Sequence, residues 1–533
     1  RARTALGQAL ARTLGADVEG GLAAAEKELE AAAQEDPEDL DAKLALASFE
    51  LDRNAPDKAA SALAPALAGP AGNDPRVADA QARALAGLGR ALDALTVVDG
   101  ALARSPGDAR LLFAKGLVVY QGGKVAEGEK LWAQAVARDP GAWEPHLALG
   151  QARLRRGELE AAEQELKLAV EKSPAQGDAI TGMSDLLLAR KDLAGAEQGY
   201  RRALAIDPAH AEAQLGLARV ALARGDAAGA RAGLERAIAL QPRLVAAQAA
   251  YGELLWKARD LAGAKKALQA AVTLDPRDGA SRARLGAVEL DAGDVDAALS
   301  DLLAASNLEI GSAEIGSWYG RALLAKGEVP QAIEQLRKAV ALQPESAQHQ
   351  LELGHALERA ASMSEAVDAY RAAQARGPTL VEPYEALAGL YAGQGRWADA
   401  LGQLEKAIAL SPREQRLRVA AGDCKEHLGK HSEAIAIYRR ALEANPKLVG
   451  LYYKIARAEH DGGSTSDALR WYERAAREDP KNPMPHYYLG FAYKDRHQRA
   501  RAIEAFRSYL RAKPDADDRK DIEREIEDLG GKP

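Results

Sequence analysis

Apolar residues recur three and four positions apart along most of the chain, and the pattern is interrupted at regular intervals. From Trp143 to Gln176 it runs over positions 2 to 14 and again over positions 18 to 30, with Trp143 as position 1. A period near 3.6 residues places apolar side chains on one face of an α-helix. Each 34-residue unit therefore predicts two amphipathic helices.

Glycine, proline and small residues mark where these helices end and meet. Position 15 is often Gly, which supplies the left-handed residue that closes the first helix. Position 32 ends the second helix, because Pro cannot continue a helix. Small residues at positions 8, 20 and 27 indicate where the two helices approach closely. Position 32 is Pro at residues 106, 140, 174, 208, 242, 276, 344, 378, 412, 446, 480 and 514.

This 34-residue signature resembles the tetratricopeptide repeat (TPR), whose consensus has small residues at 8, 20 and 27, a large apolar residue at 24 and Pro at 32. The resemblance implies an all-α, right-handed superhelical solenoid of antiparallel helix pairs. Thirteen regular repeats cover residues 75–514, and two imperfect repeats occupy residues 1–74. Ile522, Ile526 and Leu529 share one helical face within residues 515–533, which predicts a C-terminal capping helix.

Two segments depart from the regular pattern. Near residues 305–316, Ile310 replaces the Pro of position 32 and Gly311 follows it. This segment is either a hinge or a helix end at which Gly311 takes over the role of Pro. In the second imperfect repeat, Pro56 is expected at a helix start, whereas Pro65 should kink or end a helix.

Charge and composition narrow the function classes. The net charge of −7 gives no global positive field, so we expect no nucleic-acid partner. No apolar stretch approaches 18 residues, so we expect no membrane insertion within this chain. The single cysteine, Cys424, excludes an internal disulfide framework. Four alternatives fit the start of the sequence at Arg1: a cleaved leader, a membrane anchor or a further domain upstream, or an arbitrary start point.

Catalytic and cofactor motifs are missing from the sequence. No phosphate-binding loop, nucleophile elbow, H-E-x-x-H or dinucleotide fingerprint occurs, and no segment of catalytic-domain size lies outside the repeats. His427 and His431 have a metal-like spacing, but Gly429 places a turn between them. We therefore predict a protein that is not an enzyme, with no cofactor and no metal site.

The TPR resemblance implies that positions 2, 5, 9, 12 and 13 of the first helices line a concave groove. Aromatic residues and histidines concentrate toward the C-terminal part of the chain, and aromatic rings with mixed charges are typical of interaction hot spots. Packing between helices is an equally weighted interpretation of each Tyr or Trp. The predicted partner-binding residues are Asp423, Glu426, His427, Tyr453, Arg457, His460, Tyr487, Phe491, Lys494, Trp256, Arg321, His355 and Arg359.

The first functional hypothesis is a noncatalytic scaffold that holds a protein or peptide segment in the groove, in a bacterial assembly or envelope process. A second is a regulatory or targeting region of a larger enzyme or membrane-anchored protein. A third is polysaccharide or cell-wall binding through exposed groove aromatics. The Ala- and Arg-rich composition favours a GC-rich bacterium, with the cytoplasm or periplasm as the compartment. The Lys and Asn residues of a chaperone-binding carboxylate clamp and the Asn ladder of sugar transferases are both missing.

Overall fold

A computed structural model of the chain describes residues 2–12, 18–36 and 38–532. It divides into two compact units, Arg1–Ile310 and Gly311–Pro533. The described part of the first unit contains one short 3₁₀ helix, Pro70–Asn73, and these α-helices: α1 Ala2–Arg12, α2 Val18–Glu35, α3 Leu40–Asp52, α4 Pro56–Ala68, α5 Pro75–Gly87, α6 Ala91–Arg104, α7 Ala109–Gln121, α8 Val125–Arg138, α9 Glu144–Arg155, α10 Leu159–Lys172, α11 Gly177–Ala189, α12 Leu193–Ile206, α13 Ala211–Ala223, α14 Ala227–Leu240, α15 Val245–Lys257, α16 Leu261–Leu274, α17 Gly279–Asp291 and α18 Val295–Leu308.

The second unit continues the same alternation of first and second helices. Its described helices are α19 Ala313–Lys326, α20 Val329–Leu342, α21 Ala347–Arg359, α22 Met363–Arg376, α23 Glu382–Gly393, α24 Trp397–Leu410, α25 Gln415–His427, α26 His431–Ala444, α27 Gly450–Asp461, α28 Thr465–Glu478, α29 Pro483–Asp495, α30 Arg499–Ala512 and α31 Arg519–Asp528. The fold is an all-α solenoid of helix pairs, as the sequence predicts. None of the helices described is both long and apolar enough to cross a bilayer.

The helix ends follow the signature residues. Gly123 and Gly327, both at position 15, have φ angles of 88° and 92°, the left-handed conformation that closes a first helix. Four copies adopt the same conformation at position 15 without Gly, at Lys191, Arg259, Ala361 and His497. Wherever position 32 is Pro, the second helix ends two residues before it. The left-handed turn at position 15 therefore forms with or without glycine, so the helix pair as a whole also determines it.

Small residues let the two helices of a pair approach closely. Ala162 and Ala169 are fully buried on either side of Leu166, which is fully buried as well. A Cβ atom added at Gly150 would lie 2.6 Å from Cγ of Leu166. A larger side chain at such a position forces the helices apart at a cost of about 1 to 3 kcal/mol. Positions 8, 20, 24 and 27 thus form the core between paired helices.

The irregular segments show three features. Pro56 starts α4 as predicted, but α4 continues past Pro65 to Ala68, so Pro65 does not end the helix. Gly311 follows the end of α18 with a φ of 87°, whereas Ile310 is 92% exposed. In α31, Ile522 and Ile526 are buried against the preceding pair.

Within the first unit, N-terminal helices contact segments that lie 186 to 218 residues later in the chain. Leu22 of α2 is buried against Leu240 at the end of α14. The side-chain amide of Asn54 donates a 2.8 Å hydrogen bond to the carbonyl oxygen of Arg243. The guanidinium of Arg243 lies 3.2 Å from a carboxylate oxygen of Asp57. The 34-residue period does not predict this contact, because the contact joins repeats that are far apart in the sequence.

Candidate functional site

Three consecutive first helices of the second unit, α25, α27 and α29, carry most of the predicted partner-binding residues. Each helix contributes positions 9 and 12 of its copy, and α27 and α29 also contribute position 5. We call this set the α25–α29 strip. It consists of Asp423, Glu426, Tyr453, Arg457, His460, Tyr487, Phe491 and Lys494.

The charged end of the strip is a network of ion pairs between α25 and α27. Lys454 Nζ lies 2.5 and 2.6 Å from the two carboxylate oxygens of Asp423, and the hydroxyl of Tyr438 donates to the same group at 2.7 Å. Arg457 Nε lies 3.2 Å from Glu426 Oε1. The acidic and basic side chains of this region are paired with one another, so the region carries little net charge. Its side chains still offer polar groups for contact with a partner.

At the other end of the strip, Lys494 forms an ion pair with Glu525 of α31. Hydrogen bonding to that carboxylate raises the pKa of Lys494. Lys494 thereby ties the last repeat to the helix that follows it.

Between these ends lies a continuous cluster of aromatic rings. The rings of Tyr472 and Tyr488 stack at a centroid distance of 5.1 Å, and Tyr453 lies 6.1 and 6.3 Å from them. Tyr487 meets Phe491 edge to face at 5.0 Å. Burial, together with the Tyr488 hydroxyl, raises the pKa of Tyr453 to about 12. Three further rings complete the cluster: His460, Phe506 and Tyr509.

Most rings of the strip are only partly accessible. Tyr453, Tyr487 and Phe491 are half-buried, and His460 is exposed. Each Tyr or Phe thus packs between helices and keeps only part of its surface accessible to solvent. Stacking on a sugar ring needs an open aromatic face, so these rings give the polysaccharide hypothesis no support, and it stays a hypothesis.

The other predicted residues lie outside this strip. His427 is exposed and stacks on Trp397 with ring centroids 3.8 Å apart. In the first unit, Trp256 donates its indole N–H to Asp291 at 2.8 Å. These two positions do not join the aromatic cluster of α27 and α29.

Earlier copies of the second unit hold the remaining three predicted residues. Arg321 Nε lies 3.9 Å from Glu352 Oε1. His355 Nδ1 lies 2.9 Å from the hydroxyl of Tyr370, and burial lowers the pKa of this imidazole. Arg359 is exposed near the end of α21. The partner-binding role of all thirteen residues stays a prediction.

Three residues that take part in these contacts were missed from the sequence. Lys454 and Tyr488 stand at position 6, which is not among the five groove positions, and each contacts the position 24 ring of the preceding copy. Tyr472 stands at position 24 itself. The signal in the sequence was the pairing of a large residue at position 6 with an aromatic residue at position 24.

Metal and thiol chemistry have no organised site in the described residues. No group of three or more His, Cys, Asp or Glu side chains is arranged there to hold a metal ion. Cys424 is buried, and its burial raises the pKa of the thiol. A buried thiol of raised pKa is a poor nucleophile.

Models of one repeat family match the chain along most of its length. A tetratricopeptide repeat model matches residues 80–132, 120–177, 250–307, 320–380 and 386–449, and a second matches residues 187–254. A TPR repeat model matches residues 456–495. The chain belongs to the tetratricopeptide repeat family. Its TPR architecture is typical of noncatalytic scaffolds for protein–protein interaction.

Three solved structures are similar to part or most of the chain, each with a low TM-score. A crystal structure of MamA is 25% identical and covers 30% of this chain and 95% of its own, with a TM-score of 0.28. YrrB, described as a TPR protein with an unusual peptide-binding site, is 26% identical over 34% of this chain and 92% of its own, with a TM-score of 0.29. The Cut9–Hcn1 hetero-tetramer of APC/C is 14% identical over 92% and 96%, with a TM-score of 0.37. A search of curated proteins found no match.

Proposed function

We propose that this TPR protein is a noncatalytic scaffold that holds a protein or peptide segment along the α25–α29 strip, in a bacterial assembly or envelope process. The supporting observation is the continuity of the strip, in which paired charges at Asp423–Lys454 and Glu426–Arg457 adjoin the aromatic cluster around Tyr453 and Tyr487. Trp, Tyr and Arg are the side chains that most often dominate binding energy at protein interfaces.

The packing of these side chains favours binding without reordering. Tyr453 is fixed against Tyr472 and Tyr488, and Tyr487 is fixed against Phe491 and a ring of α30. A side chain that is already held in place loses little conformational entropy when a partner binds. The strip therefore offers several modest contacts at low entropic cost.

The test is a triple substitution of Tyr453, Arg457 and Tyr487 by Ala in the intact chain. Loss of three central contacts should abolish capture of the native partner, because truncation of each hot-spot residue costs about 2 kcal/mol or more. The measurement is affinity capture from the native organism followed by mass spectrometry, with circular dichroism to check helicity.

A matched control replaces three side chains on the second helices of the same repeats, Arg439, Trp471 and Arg474. These residues form cation–π contacts with side chains that are not members of the strip, with Trp471 under Arg439 and Tyr452 under Arg474. We expect the control to keep the partner. A strip variant that still captures the same partners as the wild-type chain would refute the proposed function.

A further inference from the structure

Tyrosine occupies position 24 in four copies of the repeat, and in three of them its hydroxyl has an acceptor on the first helix of the same copy. Tyr200 donates to Asp185 at 2.6 Å, and Tyr438 donates to Asp423 at 2.7 Å. Tyr370 donates to Glu358 at 2.6 Å. The acceptors stand at position 9 or 12 of their copies. In three of the four copies, the buried tyrosine at position 24 thus donates a hydrogen bond to a carboxylate on the first helix of its own copy.

Tyr472 is the exception. It is 1% exposed, and its hydroxyl has no hydrogen-bond partner in the described structure. Position 9 of its copy is Arg457 and position 12 is His460, so neither position supplies a carboxylate. Buried hydroxyls in proteins nearly always have a partner, because leaving one unpaired costs its full desolvation free energy.

The surroundings of this hydroxyl belong to the α25–α29 strip. It interacts electrostatically with Tyr453, Tyr488, Asp461 and Arg457, and it lies among the rings of the first two. Arg457 uses Nε for its ion pairs, at 3.2 Å to Glu426 and 3.5 Å to Asp461. Both distances are to Nε, and 43% of the Arg457 side chain is exposed. A donor of positive charge therefore stands where the other copies place a carboxylate.

We infer that Tyr472 and Arg457 form a subsite for a side-chain carboxylate, Asp or Glu, of the partner segment. The carboxylate would accept the O–H of Tyr472 and pair with the terminal N–H groups of Arg457, which is a geometry that favours charge-assisted hydrogen bonds. The partner would thus supply the carboxylate that Asp185, Glu358 and Asp423 of the chain itself supply in the other copies. This inference rests on the proposed scaffold function, because it specifies the chemistry of a segment bound on the same strip.

The test uses a phage library of random peptides selected on the intact chain. Selected peptides are synthesised as C-terminal amides, which leaves side chains as the only carboxylates, and their affinities are measured by fluorescence anisotropy. We expect a shared acidic residue whose replacement by Gln or Asn weakens binding about ten- to hundredfold. Tyr472→Phe should weaken binding of the acidic peptide by a similar factor. It should not further weaken binding of the peptide in which Gln or Asn replaces the acidic residue.

Tyr200→Phe is the matched control, because the hydroxyl of Tyr200 already donates to Asp185 and both residues lie outside the strip. It should leave the preference for the acidic peptide intact. Melting temperatures provide a second measurement that needs no peptide. Tyr472→Phe removes an unpaired hydroxyl and should keep or raise the melting temperature, whereas Tyr200→Phe removes a paired hydroxyl and should lower it.

The outcomes separate this inference from the scaffold function. One outcome is that peptides bind the wild-type chain and bind Tyr453→Ala more weakly, but that replacing their acidic residue by Gln or Asn changes nothing. The carboxylate subsite is then refuted and the scaffold function stands. The same conclusion follows if Tyr472→Phe keeps the full preference for the acid. If no peptide is enriched, or if none depends on the strip, both proposals fail.

Discussion

Glu50 is the residue at which burial and charge conflict most directly. It is 1% exposed in α3, and neither of its carboxylate oxygens has a hydrogen-bond partner. The nearby cation, Lys58, is paired with Glu26. Burial, with the charge of Glu26, raises the pKa of Glu50 to about 7. The folded N-terminal helices therefore hold a proton on Glu50 at pH values where the unfolded chain does not.

The stability of α2 to α4 should consequently depend on pH. The folded state binds the extra proton between the ordinary pKa of Glu50, near 4.5, and about 7, so stability falls as the pH rises through that window and is constant above it. Glu50→Gln keeps the neutral form at every pH. We expect it to remove the part of this slope that Glu50 contributes and to stabilise the segment at pH 8 by about 1 to 3 kcal/mol.

Hydrogen exchange of α2 to α4 at several pH values, corrected for intrinsic rates, measures this effect. Glu30→Gln, at an exposed position of α2, is the control and should leave the slope unchanged. An undiminished pH dependence in Glu50→Gln would show that Glu50 is not the group responsible.

At the scale of the helix pair, the contact between positions 8 and 24 determines how closely two helices approach. A Cβ atom added at Gly490 would lie 2.3 Å from Cε1 of Phe506. Gly490→Ala should therefore destabilise α29 and α30 by about 1 to 3 kcal/mol through overpacking. In a repeat array this loss should spread mainly to neighbouring repeats, which hydrogen exchange of each helix would measure.

Gly389→Ala is the matched control within a first helix. Apart from the adjacent backbone of its own helix, no atom lies within 4 Å of a Cβ added there, so the substitution should be neutral or stabilise α23 by up to about 1 kcal/mol. Equal effects of the two substitutions would contradict the assignment of position 8 to the helix contact.

The helix pairs themselves were predictable from the sequence because each one is encoded locally. Pro at position 32 and a left-handed residue at position 15 fix the helix ends within a few residues of chain. Pro65 was predicted to kink or end a helix, and α4 continues past it to Ala68, so the predicted end was wrong. The local sequence does not decide between these two outcomes, which depend on how the surrounding helices pack. The role of Tyr488 was missed for a related reason. Its ring stacks on Tyr472 of the preceding copy, so its contact is with another repeat rather than its own.

At the scale of a whole unit, the contact of α2 to α4 with later helices of the first unit is not encoded by the repeat period. Asn54 and Arg243, joined by a hydrogen bond, lie 189 residues apart. Such a contact results from the summed rotation between successive repeats, which small differences in each helix contact set. The sequence pattern gives the number of repeats but not this rotation.

Asp52 makes this long-range contact sensitive to pH. Its carboxylate reaches solvent, yet protein surrounding it raises its pKa to about 7, with Arg83 opposing the shift and Asp178, Asp207 and Glu212 adding to it. The contact therefore favours the protonated form, and its stability falls as the pH rises from near 4 to about 7. Above that range, Asp52 is negative beside three other acids.

Fluorescence energy transfer across the contact tests this expectation. Dyes attached at Glu30→Cys in α2 and Ala232→Cys in α14, in a Cys424→Ser background, should show a lower transfer efficiency at pH 8 than at pH 6, because repulsion among these carboxylates weakens the contact. Asp52→Asn should hold the efficiency at its pH 6 value, whereas Asp93→Asn, an exposed acid paired with Arg90, should change nothing. A pH response that survives in Asp52→Asn would assign the effect to another group among the acids of α11 to α13.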